Sequence, residues 1–234
     1  MSKDVYQQVG VAMTCRGFDE YLRMFDLPER ELAQGKVLDV AGGGSSFTAD
    51  AVDRGYDAIA ADPRYVRDTS QWVEEAAAEI EASTMKLSKL RDYFDWTYYG
   101  SLERHREGRI ESLKRFSGHL QSAEGRSRYL AGSLPELPFR DHSFSLVLCS
   151  HFLFLYAEQF GFEFHKQSIL ELMRVCMPGG EVRVYPLHSL GWKPFERMDE
   201  LLAIITAHGG EPELLPSRLP FIPGSSSYMR IAIC

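Results

Sequence analysis

The sequence predicts an open α/β sheet of mainly parallel strands, and three observations predict it. A short apolar run, Lys36 to Val40, is followed at once by the glycine cluster Gly42-Gly43-Gly44. A second run, Tyr56 to Ala61, stops at Asp62-Pro63. Further on, strand-like runs (Phe144 to Cys149, Glu181 to Tyr185) alternate with the helical pattern of residues 165–176. Short apolar runs that alternate with amphipathic helices and lack a period of two are buried on both faces, as parallel strands are.

The stretch from Gly35 to Phe47 organises the rest. A strand, a tight turn and a helix beginning near Ser46 follow in that order. Glycine lets a backbone approach a ligand because no Cβ intervenes. Ligands of open α/β sheets bind at the carboxyl ends of the strands, where the strand order reverses. The turn is therefore expected to floor a nucleotide-type pocket. A dinucleotide fingerprint would place a third glycine where Phe47 stands, and a Walker loop would need Gly-Lys-Ser/Thr, which does not occur. Asp62 lies 23 positions after Asp39. An acid at the end of the second strand suits both hydroxyls of a bound ribose.

Bulk properties narrow the class. The chain has 234 residues, enough for one domain or one domain with an insertion. A net charge of −7 argues against a chain built mainly to hold nucleic acid. The cysteines (Cys15, Cys149, Cys176, Cys234) form no CxxC pair and no metal-ligand cluster, as expected of free thiols in a reducing cytoplasm. No signal pattern and no membrane-length apolar run is present.

In chain order, residues 1–34 read as an N-terminal helical cap, with Phe18, Tyr21, Leu22 and Phe25 on one face. A helix over Ser46 to Arg54 is expected to stop at Gly55. Residues 64–126 form a helical insertion between the second strand and a third at Ser127 to Ala131. Its first helix carries Val73, Ala76, Ala77, Ile80, Leu87, Leu90 and Phe94. Its second carries Leu102, Ile110, Leu113, Phe116 and Leu120, with Ser101 as N-cap. Between them, Trp96-Thr97-Tyr98-Tyr99-Gly100 precedes a basic helix containing Arg104, His105, Arg106, Arg109, Lys114 and Arg115. Interleaved Glu103, Glu107 and Glu111 suit pairing along that helix. Trp96, Tyr98, Tyr99 and Arg106 are the candidate lid and acceptor-site residues. The last helix spans Phe195 to Ala207 and stops at Gly209-Gly210. The runs Glu211 to Leu215 and Tyr228 to Cys234 are the final strands, with Phe221 in the proline-rich loop between them.

The turn resembles motif I of the class I S-adenosylmethionine (SAM) methyltransferases, D/E-x-G-x-G-x-G, with Asp39, Ala41, Gly43 and Ser45 at its defined positions. Ala41 and Ser45 replace glycines, and Ala41 is a small change if its φ is negative. Gly132-Ser133-Leu134 through Leu137-Pro138-Phe139, Asp141, Ser143-Phe144 and Val147 is similar to the G-D-A-x-x-L-P-F-x-D-x-S-F-D-x-V stretch of small-molecule members. Glu171, Arg174-Val175 and Pro178-Gly179-Gly180 resemble the family's E-x-x-R-V-L-x-P-G-G, a structural signature. The resemblance covers residues 35–187 in motif order.

It implies a Rossmann-like seven-stranded sheet, mostly parallel with an antiparallel last strand, over residues 35–234, and a helical lid insertion. It implies S-adenosyl-L-methionine as cofactor and S-adenosyl-L-homocysteine as product. Asp39, Ala41, Gly42, Gly43, Ser45, Asp62, Pro63, Ser133, Leu134 and Ser150 would then surround the cofactor, and Arg16 or Tyr21 would reach its methionine carboxylate. His151, just past the fourth strand, is the candidate general base, since imidazole titrates near neutrality. The expected activity is in-line methyl transfer to an O, N or C nucleophile of a small molecule. The rival readings are an RNA methyltransferase using the basic helix, a SAM-fold sensor or scaffold without turnover, and an NAD-dependent enzyme.

Overall fold

The computed structural model describes residues 6, 8, 10–13 and 15–234. Seven strands form one sheet: β1 (Val37–Val40), β2 (Ala58–Ala61), β3 (Tyr129–Leu130), β4 (Phe144–Ser150), β5 (Cys176–Tyr185), β6 (Gly210–Pro216) and β7 (Ser227–Ile233). Their spatial order is β3-β2-β1-β4-β5-β7-β6. Pairing is parallel from β3 to β5, and β7 is antiparallel to both its neighbours. The central strands are buried on both faces, which is why they read as unbroken apolar runs. The strand order reverses between β1 and β4, so their carboxyl ends open a crevice there.

Among the described residues, six α-helices complete the fold: α1 (Phe18–Met24), α2 (Phe47–Asp53), α3 (Thr69–Lys89), α4 (Leu102–Gln121), α5 (Phe162–Val175) and α6 (Met198–Ala207). Asp68 caps α3 by accepting from Ser70 N and Gln71 N, and Ser101 caps α4 by accepting from Arg104 N. Gly55, at φ +86°, lies just past α2, as expected of its stop.

The long crossover from β2 to β3 is the α3–α4 hairpin. Trp72, Ala76 and Ile80 of α3 and Leu113, Phe116 and Leu120 of α4 share one buried cluster with Ala60 of β2 and Tyr129 of β3. The insertion is thus part of the core as well as a roof over the crevice. Ile110 and Ala77, expected on the apolar faces, point outward. The E-x-x-R signature also acquires a physical role. Glu171 accepts from Leu137 N, while Arg174 bonds Glu171, Asp141 and the carbonyls of Phe139 and Leu137. Those bonds clamp the L-P-F segment onto α5.

Two expectations are corrected. The N-terminal cap is helical only in part: among its described residues, α1 has seven residues and Glu29–Gln34 form a 3₁₀ turn. Residues 1–5, 7, 9 and 14 of that cap lie outside the described residues. The segment before α1 runs irregularly across the crevice, its backbone held from outside. Ala12 N donates to the Tyr156 hydroxyl, Arg16 N donates to Ser45 Oγ, and the Val11 carbonyl accepts from Arg64. Second, Ala41 has φ +58°, in the left-handed region. A Cβ there costs about 1–2 kcal/mol, so the replacement of glycine is not a small change. Ala41 N and Gly42 N both reach the Ala61 carbonyl at 2.8 and 3.4 Å, which holds the strained turn against β2.

Candidate functional site

The carboxyl ends of β1 and β2 border a cavity of about 320 Å³ lined by Val40, Ala41, Asp62, Pro63, Ser133 and Leu134, among others, and closed by Phe152, Phe160 and Phe164. Among the described residues, Asp62 is its one carboxylate. The side chain accepts from Gly43 N at 3.2 Å and from Arg64 N at 2.9 Å, one bond to each oxygen. Burial pushes its pKa up, while those two N–H bonds and the Arg64 guanidinium oppose the shift. Oδ2 keeps a second lone pair for a ligand, while Oδ1 also faces the Arg64 guanidinium at 3.6 Å.

Asp39 lies beneath the turn, out of the cavity. The Tyr21 hydroxyl sits 3.1 Å from both its oxygens. Burial, with the Asp62 charge nearby, pushes Asp39 up to about 8 against the Tyr21 hydrogen bond. The folded pKa is therefore above the unfolded value of about 3.9. The stabilising contribution is full below the unfolded pKa and is lost as pH rises through about 8. In Asp39→Asn this slope in stability between about pH 4 and 8 should disappear, as urea titrations across that range would show; an unchanged slope would refute the assignment.

A second cavity, of about 120 Å³, opens beside the first. Val11 and Phe152 line the first, and their chain neighbours Ala12 and His151 line the second. Its walls are Leu87 of α3, Phe94 in the hairpin connection, Trp192 after β5, and Phe221 and Ile222 after β6. Trp192 and His151 both have positive φ, at +59° and +53°. Strained backbone of this kind persists where surrounding structure over-determines it, often at functional sites.

His151 is buried, and its backbone N–H donates to the Tyr185 carbonyl at 2.6 Å. Its Nδ1 lies 2.8 Å from Ser150 Oγ, which lies 3.8 Å from Met24 Sδ. The Ser150 hydroxyl can donate to the Met24 thioether while accepting from Nδ1–H. That tautomer leaves the Nε2 lone pair free. Burial first, then the Arg16 and Arg109 charges, hold the imidazole well below its usual pKa and therefore neutral.

Beside this cavity lies a buried ionic network. Glu20 of α1 accepts from Arg109 Nη1 and Nη2, both at 2.7 Å, from Arg16 at 3.2 Å and from the Tyr99 hydroxyl at 2.6 Å. Arg109 also donates to the Cys15 carbonyl and to Tyr99, which ties α4 to the N-terminal segment.

Comparison with known proteins agrees with this geometry. Residues 107–184 match the family model described as a methyltransferase domain. Uncharacterized protein MJ0045 of Methanocaldococcus jannaschii is 30% identical over 188 residues, 80% of this chain and 82% of that protein. The chain belongs to the class I SAM-dependent methyltransferase superfamily. Among solved structures, the magnesium protoporphyrin IX methyltransferase of Synechocystis PCC 6803 with bound SAM superposes with a TM-score of 0.50 at 10% identity, over 92% of this chain and 81% of that one. A TehB-like SAM-dependent methyltransferase from Corynebacterium glutamicum gives 0.47 at 14% identity, over 88% and 87%.

The residues present fit this superfamily's cofactor. The first cavity pairs a buried carboxylate having an open lone pair with apolar walls, the chemistry of a ribose diol beside an adenine. Of the residues expected around the cofactor, Ala41, Asp62, Pro63, Ser133 and Leu134 line that cavity. Asp39, Gly42, Gly43, Ser45 and Ser150 instead build the turn and the layer behind it. A Cβ on Gly42 would come within 2.9 Å of Asp39 and 3.0 Å of the Tyr65 hydroxyl, so that glycine is required by packing. Ser45 accepts from Arg16 N and does not cap α2.

The expected lid residues are only partly brought together. Trp96 packs edge-on against Phe221 and His105 behind the cavity wall, and Tyr99 is absorbed into the Glu20 network. Tyr98 and Arg106 are corrections. Tyr98 lies on the surface against Arg23, and Arg106 faces outward in a bidentate pair with Glu81 of α3. Pairing of α4's arginines also runs between elements rather than along the helix, since Arg115 meets Asp50 and Asp53. Sequence reasoning missed Glu20, Trp192 and Leu190. Glu20's only signal is an acid on an otherwise apolar helix face.

Proposed function

We propose that the chain transfers a methyl group from SAM to a small-molecule acceptor held in the second cavity. The observation that carries this reading is the adjacency of the two cavities, one with a ribose-type carboxylate and the other with a neutral, oriented His151. Asp62 would hold the ribose hydroxyls, Ser133 and Leu134 the adenine edge, and Arg16 the methionine carboxylate. When bound, SAM would supply an activated methyl to the acceptor's lone pair.

The protein's own contribution is positioning, water exclusion and proton removal. Alignment of two reactants contributes roughly 7–11 kcal/mol. The aromatic walls exclude water from the reacting atoms. His151 Nε2 takes the acceptor's proton, and Ser150 fixes its tautomer. A small acceptor is favoured over RNA because Arg106, Arg109 and Arg115 of α4 are paired within the protein, which leaves Arg104 and Lys114 as that helix's lysine and arginine charges outside ion pairs among the described residues.

His151→Gln is expected to lower kcat for methyl transfer by about 100-fold or more, with S-adenosylhomocysteine affinity unchanged. Wild-type kcat should be flat from neutral pH upward and fall only below the ordinary imidazole range. An unchanged kcat in the variant would remove His151 from the chemistry.

A further inference from the structure

The segment before α1 is a wall of both cavities. Val11 lines the first, and Ala12, Met13, Cys15 and Arg16 line the second. None of these residues belongs to a helix or a strand. Their backbone bonds instead to separate parts of the fold. Ala12 N donates to the Tyr156 hydroxyl at 2.8 Å, and Arg16 N donates to Ser45 Oγ at 3.2 Å. The Cys15 carbonyl accepts from Arg109 Nη1 at 2.8 Å, and the Arg16 carbonyl accepts from Ser46 N at 3.0 Å. Backbone held by a few scattered bonds opens at lower free energy than a core strand.

The bond to Val11 comes from the first cavity itself. Arg64 Nη2 donates to the Val11 carbonyl at 2.6 Å. The backbone N–H of Arg64 donates to Asp62 Oδ1 at 2.9 Å, and its Nη1 lies 3.6 Å from that same oxygen. One guanidinium thus faces the ribose-type carboxylate with one nitrogen and the segment with another. Its fork is rigid, so holding one nitrogen against Asp62 fixes where the other points. Asp62, Arg64 and Val11 all line the first cavity. Opening the segment takes Val11 out of that wall and frees Arg64 from its anchor. A ligand of the first cavity therefore makes more contacts with the closed segment than with the open one, and that difference is what shifts an equilibrium. Val11 and Ala12 are consecutive, so the wall of the second cavity closes with it.

We infer that Arg64 is a positioning residue that couples the two cavities: with adenosine chemistry bound at Asp62, it latches Val11 and so completes the wall around the acceptor. This rests on the proposed function and names a regulation of that same site. The acceptor cavity is then whole only when the cofactor cavity is filled, and the cofactor binds before the acceptor. By linkage, an acceptor that touches Ala12 to Arg16 tightens the cofactor by the same factor.

The test is amide hydrogen exchange of the full chain, read at Ala12 and Arg16 in wild type, Arg64→Gln and Arg64→Lys, each with and without saturating adenosine. Adenosine carries the ribose and the adenine but no methionine part, so it does not act on the segment through Arg16. In the free wild type these two amides should exchange faster than those of Val147 and Leu148 in β4, because the segment opens without the rest of the fold. Adenosine should slow them about 5-fold or more. Arg64→Gln should speed them about 10-fold or more, the scale of one charge-assisted bond, and cut the slowing by adenosine to less than about 2-fold. Arg64→Lys, which keeps a cationic donor, should recover part of both effects. Exchange at the pace of β4, no slowing by bound adenosine, or a full adenosine effect in Arg64→Gln would overturn the inference. Calorimetry with adenosine and S-adenosylhomocysteine on the same samples separates the two levels. Binding of both without slowing sinks the coupling alone, whereas binding of neither sinks the function beneath it.

Discussion

Glu20→Gln should destabilise the fold by about 3–5 kcal/mol, the scale of a buried ion pair that loses one partner. The substitution keeps the shape and removes the only carboxylate that Arg16 and Arg109 share. Both guanidiniums are more than nine-tenths buried, so two cations would be left without a counter-charge. Arg109→Leu should cost less, because Glu20 keeps Arg16 at 3.2 Å. At about 2–4 °C per kcal/mol for a chain of this size, Glu20→Gln should lower Tm by roughly 10 °C. The pH dependence has a definite sign. Burial opposes Glu20's charge, but Arg109, Arg16 and the Tyr99 hydroxyl overcome it and hold the carboxyl well below its ordinary range. A depressed folded pKa gives stability that is full above the unfolded value of about 4.3 and is lost as pH falls toward the folded one. The gap between wild type and Glu20→Gln should thus be constant from neutral pH to about pH 5 and shrink in stronger acid. Urea titrations at several pH values measure it, and a gap under 1 kcal/mol at pH 7 would show that the network contributes little.

Asp62→Ala should weaken S-adenosylhomocysteine binding by about 100-fold or more. Two ribose hydroxyls donating to a buried carboxylate are worth about 1.5–3 kcal/mol each, and each 1.4 kcal/mol is a factor of about ten. The same side chain accepts from Gly43 N, so the alanine also loosens the turn. Asp62→Asn separates the two effects. Its amide oxygen can still accept from Gly43 N, while the charge that favours the diol is gone. It should fall between wild type and alanine, and a loss in Asp62→Ala smaller than about 5-fold would place the ribose elsewhere.

Much of the fold is legible in the sequence because the sheet is buried on both faces. β1, β2, β4 and β7 appear as apolar runs with turn residues at their ends, whereas β6 at the sheet edge is mostly exposed and carries Glu211 and Glu213. β3 is harder, since it pairs only Tyr129 and Leu130 with β2. The segment before α1 was not legible, because its bonds go to Tyr156, Ser45 and Arg64, far away in the chain. The turn's chemistry was legible in its residue types, but the positive φ of Ala41 was not, since alanine signals no such backbone.

The candidate site divides in the same way. Asp62, Ser133 and Leu134 follow strand ends, so strand prediction places them. The acceptor cavity draws on α3, α4 and the loops after β5 and β6, and only three-dimensional packing brings those together. A local aromatic cluster, Trp96-Thr97-Tyr98-Tyr99, suggested a pocket wall. The turn before α4 instead leaves Tyr98 outward, and the wall goes to Phe94 and Phe221. Glu20 and Arg109 find one another across the whole insertion, and no spacing rule couples them.

The most direct measurement is a calorimetric titration of the full chain with SAM, S-adenosylhomocysteine and NAD. The two adenosyl sulfur compounds should bind at micromolar concentration with one site per chain, and NAD should not compete. Binding of NAD in their place, or of none of the three, would contradict the assignment of the first cavity and the proposed function with it.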